Sequence, residues 1–529
     1  MKLIKFIIEN FRGYKDKTEI DFSNLTAFVG KNDIGKSSVM EALDVFFHDG
    51  KGTVKLEKDD INVENLKNGF FDIKLTAIFI DLPEKIIIDG TFETSLRDEF
   101  LLNQAEQLEI TKIFKNGLTS SASIKIEINA NHPSNENCNN LLQKKNTDLK
   151  KIVEELNLDC DKSINSVMRK GIWKYYESNL SLAERLIDVS VKDGDIKSIW
   201  AKLQTYLPSF SLFQSDRKNN DTDDEVQDPL KEAVKSIFLM PEIQATLQTV
   251  ATQVKQKIQE VTDLTLEKIN DVSPEIASTL HPNIPEVDSL KWYEVFKNLS
   301  ISGDEDIPIN KRGSGIRRLI LLSFFRAEAE KRQKEINSPS IIYAIEEPET
   351  SQHKEYQGVL IKAFKTLSET ENAQVIITTH SSEIVKNLDF KNLFLITKDQ
   401  DKRVKVKHFE PNCLPYPSLN EANYNAFEDV SEEFHNELYG HLQAKAIDEN
   451  SNNERENPFD DWLVSKGCLK TKSWIRVKDG LPKPPEKKTL QTYIRNLIHH
   501  PENNNNPRYT KDELKKSIET MVSIIKNFH

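Results

Sequence analysis

Cysteine is scarce in this 529-residue chain, and the four present, Cys138, Cys160, Cys413 and Cys468, are dispersed with no CxxC pair. That spacing argues against both a zinc site and a disulfide framework, and it fits a reducing compartment. Positive charge is also short: 72 Lys and Arg face 84 Asp and Glu, a net charge of −12. No global positive field gathers nucleic acid, so any such contact is local. No apolar run reaches the roughly 18 residues of a membrane span. Lys2, Lys5 and Glu9 interrupt the apolar N-terminus too often for a signal-peptide core. The expectation is a soluble, cytoplasmic protein with no membrane segment.

What is present is enough for two or three domains with real cores: 37% of the residues are hydrophobic. Residues 1–140 are dominated by short alternating runs, at Lys2 to Phe11, Thr18 to Phe22, Leu25 to Val29, Phe71 to Asp81 and Ser123 to Asn129, which predict strands. One helix is predicted among them, Lys36 to Phe47, with Val39, Met40, Leu43 and Phe47 on one face. Residues 141–300 turn helical, with stripes at Leu149, Ile152, Val153 and Leu156 and at Leu247, Val250, Val254, Ile258 and Val261. Pro208, Pro229 and Pro241 break the repeat a coiled coil needs, so this insertion is expected to be a compact helical lobe. Residues 301–426 return to mixed strand and helix, and the apolar runs Ser340 to Ile345 and Ala373 to Thr378 suit buried parallel strands. Asp448 to Pro458 has the composition of a linker, and 427–529 is expected to be a small helical domain.

The chemistry begins at Gly30-Lys31-Asn32-Asp33-Ile34-Gly35-Lys36-Ser37, a GxxxxGK[ST] motif placed after a predicted strand and before a predicted helix. Gly30 and Gly35 let backbone N–H groups turn around a phosphate, Asn32 and Ser38 flank it, Lys36 bridges phosphates and Ser37 ligates Mg²⁺. The run Ile341 to Ile345 delivers Glu346, Glu347, Pro348 and Glu349 to a strand end, the form of a Walker B motif. Glu346 is expected to hold Mg²⁺ through water and Glu347 to orient the attacking water. Gln374 to Thr379 brings His380 to the sheet edge, within reach of a γ-phosphate. Lys311 to Arg318 places Ser314 and Gly315 before an apolar helix, Leu319 to Phe325, as an anion site.

This order of P-loop, long insertion, glycine-serine signature, Walker B and histidine resembles the ABC ATPase class that includes SMC, RecF and the OLD-type nucleases, over residues 1 to about 400. The fold it implies is an α/β P-loop ATPase head, a mixed sheet plus a parallel core, carrying a large helical insertion and a small helical C-terminal domain. Asn10 to Tyr14 is similar to the NFR element of those heads, which puts Arg12 near the nucleotide. The class also implies a composite site, with Ser314 and Gly315 of one head completing the site around Lys36 of another, hence a homo-oligomer through head-to-head contacts. Glu346 replaces the usual Asp and no LSGGQ spelling occurs, both pointing to the OLD-like branch.

OLD nucleases continue into a TOPRIM domain. Here the only DxD between Ser381 and Ala426 is Asp399-Gln400-Asp401, which reads as a hairpin turn. Pro208 to Pro229 resembles a segment of the stand-alone OLD-like ATPases of bacterial anti-phage systems, such as the PtuA subunit of Septu and the AriA subunit of PARIS, which act with a separate nuclease subunit. The acids Asp221 to Asp228 lack calcium-loop spacing and suit a solvated loop. Near the C-terminus, Arg495-Asn496-Leu497-Ile498-His499-His500 resembles the RNxxxH signature of HEPN ribonucleases, and Lys466 to Lys488 surround Trp474 as an RNA-contacting surface does.

The sequence therefore supports an ATPase sensor or scaffold of an anti-phage system, using ATP and Mg²⁺ and coupled to a nuclease or toxin in another chain. Its rivals are an ATP-gated ribonuclease acting through Arg495 and His500, where a structural or partner-docking helix is the bland reading, and a RecF-type repair ATPase.

Overall fold

The computed structural model describes residues 1–31, 34–87, 92–190, 196–214, 339–350, 354–399, 403–410, 413–427, 429–478 and 481–527, with scattered helical positions between 243 and 263. Met1–Ser215 and Glu335–His529 form one compact unit. In chain order its main strands are β1 (Lys2–Glu9), β2 (Thr18–Asp21), β3 (Leu25–Val29), β4 (Ile73–Ile80), β5 (Leu108–Phe114) and β6 (Ile124–Pro133). They continue with β7 (Leu182–Asp188), β8 (Ser209–Phe213), β9 (Ile341–Glu346), β10 (Ala373–Thr379), β11 (Leu393–Lys398) and β12 (Val404–His408).

Among the described residues these strands form two six-stranded sheets. One is antiparallel, in the order β2-β1-β4-β5-β6-β7; the other runs β12-β11-β3-β10-β9-β8. In the second, β11, β3, β10, β9 and β8 are parallel and only β12 is antiparallel. Strands buried on both faces must be apolar throughout, and β3, β9 and β10 are buried at every position. Five parallel strands share a C-terminal edge, and whatever follows each of them is delivered to one place.

The helix α1 (Lys36–Phe47) ties the two sheets to one core. Phe46 meets Phe6 of β1 edge-on at 5.8 Å, while Phe47 stacks on Phe210 of β8 at 5.3 Å, each such pair worth about 1 kcal/mol beyond area. The end of α1 is held by a buried lysine: Lys112 of β5 donates to Phe46 O at 2.8 Å and to Asp49 Oδ1 at 2.6 Å. Burial lowers the Lys112 pKa and Asp49 opposes that shift. Removing Asp49 would strand the charge, at a cost of about 3–5 kcal/mol.

The described part of residues 141–300, expected to be helical, also contains strands. Residues 146–175 do contain helices, Asn146–Glu155 and Asn165–Tyr175, but β7 extends the antiparallel sheet and β8 is an edge strand of the parallel one. The second helix is fastened to the N-terminal lobe by Arg169, whose Nε and Nη2 donate to Glu99 at 2.7 and 3.1 Å with both side chains buried. Of the second helical stripe, residues 246–250 are helical, while Val254, Ile258 and Val261 lie outside the described residues.

In the C-terminal region the helices Glu432–Glu449, Glu456–Ser465, Leu490–His499 and Lys511–Lys526 pack around Phe434, Leu438, Phe459, Ile494 and Met521, and that core also takes in Cys413 and Leu414, upstream of Phe427. Asp448 to Pro458 is a helix-to-helix turn instead of an open linker. Asn453 Nδ2 donates to Ala446 O at 2.7 Å and Asn450 caps the turn that follows, so the asparagines satisfy helix-end groups.

Candidate functional site

β3 is followed by Gly30, which has φ +154° and approaches β11 so closely that a Cβ there would lie 2.7 Å from Ile396 O. Gly35 is the N-cap of α1, with φ 112° and no side-chain cap, so no side chain competes for the first N–H groups of that helix. Lys36 is 5% exposed and donates from Nζ to Gly30 O at 3.0 Å and Lys31 O at 2.7 Å. Ser37 is exposed beside it and Ser38 half-buried, while Asn32 lies outside the described residues. Tyr14, fully buried, donates from its hydroxyl to Gly35 O at 3.0 Å and supports the loop from beneath.

β9 brings Glu346, buried, and then Glu347, whose φ of +40° is unusual for a residue with a side chain. Such a conformation costs about 1–3 kcal/mol and clusters at functional sites. It is held by bonds to β10, where Glu347 N donates to Thr378 O at 3.1 Å. β10 in turn delivers His380, whose Nε2 lies 3.1 Å from Glu347 Oε1. Burial and the Lys36 charge hold the His380 pKa below its ordinary value, against the pull of Glu347. Lys36 and Glu347 thus both act on His380, although segments after three different strands supply the three residues.

Arg12 is engaged by the protein itself. Its Nη1 pairs with Glu41 of α1, its Nε donates to Asp60 Oδ1 at 2.7 Å, and its φ is +48°. Asn10, also left-handed, donates to Phe70 O and Asp72 O at 3.2 and 3.0 Å, which fixes the turn. Ser314 and Gly315 lie outside the described residues, as do Asp221, Asp223, Asp224, Glu225 and Asp228. Of the DxD segment, Gln400 and Asp401 lie outside the described residues, while β11 and β12 on either side pair as a hairpin and Asp399 N donates to Arg403 O at 2.9 Å. Sequence reasoning missed Gln214, which follows β8 at the same sheet edge and donates to Glu41 Oε1 at 3.4 Å. The signal was available in the SFSLF run, short, apolar and ended by a single amide.

The C-terminal candidates are arranged differently. Arg495 lies over the Tyr439 ring at 5.9 Å and donates to Asn496 Oδ1 at 3.3 Å, whereas His500 is exposed past the helix end, with Nδ1 3.3 Å from Glu502. Trp474 is 2% exposed and packs against Tyr493, so it offers no stacking face. Among the described residues no group of three or more His, Cys, Asp or Glu is placed to hold a metal, and no helix is long and apolar enough to cross a membrane.

A family model described as an AAA ATPase domain matches residues 1–385. The chain belongs to this AAA ATPase family. Within the family domain lie the P-loop, Glu346, Glu347 and His380. Endonuclease GajA of Bacillus cereus (strain HuB5-5) is 23% identical over 421 residues, covering 73% of this chain and 56% of that protein, so the chain spans little more than half of that relative's length. Among solved structures, the SMC head bound to the C-winged helix domain of ScpA is 14% identical with a TM-score of 0.34, covering 80% of this chain and 100% of that one. The SMC head domain from Thermotoga maritima is 12% identical with a TM-score of 0.32, covering 78% and 100%.

Proposed function

We propose that the chain binds ATP with Mg²⁺ at the C-terminal edge of the parallel sheet, hydrolyses it there, and uses its nucleotide state to control a nuclease or toxin carried by another chain in anti-phage defence. The observation that carries the reading is the delivery of Lys36, Glu347 and His380 to one edge by the segments that follow β3, β9 and β10 respectively.

The residues present fit the ligand. A glycine N-cap leaves the start of α1 open to an anion, and Lys36 rests on two loop carbonyls that it can exchange for phosphate oxygens. Ser37 and Glu346 would hold Mg²⁺, which when bound supplies charge neutralisation between phosphates. Glu347 takes the role of orienting and polarising water, and neutral His380 donates a hydrogen bond towards the terminal phosphate. Ser314 and Gly315 of a second copy would complete the site. A connection with nuclease chemistry is supported by the likeness to a protein named as an endonuclease, and its placement in another chain is our reading.

The test is Mg²⁺-dependent phosphate release by the purified chain, beside Glu347→Gln. The variant is expected to keep ATP affinity and lose turnover, since an amide fits the pocket but polarises water poorly. Normal hydrolysis by it would move that role to Glu346 or another group.

A further inference from the structure

Glu349, two residues past Glu347, makes a cluster of polar contacts at the sheet edge. Its Oε1 accepts from Thr379 Oγ1 at 2.8 Å, from His380 N at 2.6 Å and from Ser381 N at 3.1 Å. Ser381 N also reaches Thr379 Oγ1 at 3.0 Å. Three donors on one oxygen fix the backbone on both sides of His380. The carboxyl is largely buried, and burial raises its pKa despite those bonds. In such surroundings each hydrogen bond is stronger than in water.

The clamp is continued on either side. Glu347 N donates to Thr378 O at 3.1 Å and approaches Thr378 Oγ1 at 3.2 Å, so the ends of β9 and β10 are tied together next to the Glu347–His380 pair. Ser381 Oγ donates to Gln357 Oε1 at 2.6 Å, pinning the same turn to the helix Lys354–Ser368.

We propose that Glu349 is a positioning residue for ATP hydrolysis, which fixes the turn after β10 so that the His380 ring meets Glu347. This rests on the ATPase reading above. Glu349 touches no reacting atom; it acts through the main chain of His380. A displacement of about 1 Å in such a group can cost about 10²-fold in rate.

The proposal is tested in the full chain by steady-state ATP turnover. Glu349→Ala is expected to lower kcat by about 10²-fold with KM little changed. Glu349→Gln should recover much of that loss, because its amide oxygen accepts the same three bonds. The double variant Glu349→Ala/His380→Ala should be no slower than His380→Ala alone, whereas multiplied losses overturn the proposal. If Glu349→Ala does not fold, Thr379→Val removes one of the three donors and should show a smaller fall in kcat; wild-type turnover in it counts against the clamp. A chain without any turnover sinks the ATPase reading separately. In that case the His380 signal in protein labelled at histidine ¹³Cε1, assigned by its loss in His380→Ala, decides the matter. Release of the ring to solvent in Glu349→Ala moves its titration upward towards the ordinary value, and an unmoved titration overturns the proposal.

Discussion

At the edge of the parallel sheet, Lys36, Glu347 and His380 arrive after separate strands, and His380 feels both of the others, with Glu349 and Tyr14 bracing the turns that carry them. In the C-terminal domain the charges are consumed locally. Lys466 pairs with Glu449 at 3.3 Å, Lys470 with Asp461 at 2.5 Å, Lys472 with Glu513, Arg476 with Glu456 at 3.4 Å and Lys488 with Glu456 at 2.8 Å. The two regions use the same residue types, and what separates them is whether the topology sets charges against one another or matches each with a neighbour. A basic run is a poor pointer to a partner when the fold supplies an acid for most of it.

The sharpest way to break this comparison is to remove one charge from each region. Lys36→Ala is expected to abolish ATP turnover, read as phosphate release, because its ammonium is the positive group of the loop. Lys472→Ala should leave turnover unchanged, and equal losses in both would erase the distinction.

A second test concerns pH. Burial pushes the His435 pKa from 6.5 down to about 3, with its Nε2 3.0 Å from Ser517 Oγ. The unfolded chain takes up a proton that the fold refuses, so this stability is fully present above about pH 6.5 and is lost as pH falls towards 3. The slope is about 1.4 kcal/mol per unit, or about 2 kcal/mol at pH 5. Denaturant unfolding at pH 7 and pH 5 checks it, and His435→Gln should flatten the difference.

The smallest effect is expected at the RNxxxH segment. Arg495→Ala should cost about 1 kcal/mol through its lost place over Tyr439, and His500→Ala should leave the melting temperature unchanged. Neither wild type nor His500→Ala is expected to cleave total RNA or tRNA in EDTA. Metal-free cleavage lost in His500→Ala would make the C-terminal domain a second site of converging charge.

Much of the head was legible because its elements are long, strongly patterned or closed by a motif. The helix Lys36–Phe47 and the strand Leu25–Val29 have the expected bounds, and the apolar runs ending at Glu346 and Thr379 are the buried strands β9 and β10. β7 was hidden because Leu182–Asp188 carries charges and is mostly unburied, and β8, though its run is apolar, could not declare a partner as far along the chain as β9. Glu349 could not be read because it works through the N–H groups of residues about thirty positions away, which no local pattern reports. Asp448 to Pro458 misled because asparagines that cap helices have the composition of a linker.

The seating of β3 between β10 and β11 has a bearing on how the molecule is made. The antiparallel strands β1, β2 and β4 to β7 come from the first 188 residues and can pair while the ribosome is still working, but the P-loop strand β3 has no neighbours until β10 and β11 emerge. Leu3 N, donating to Gln374 Oε1 across 371 residues, marks the length of chain that must close before the core sheet exists. Contacts of such separation form late and slowly. A nascent chain halted before β10 would thus carry the whole Gly30 to Ser37 sequence and yet have no nucleotide pocket, so the phosphate-binding loop is among the first segments translated and among the last to become competent.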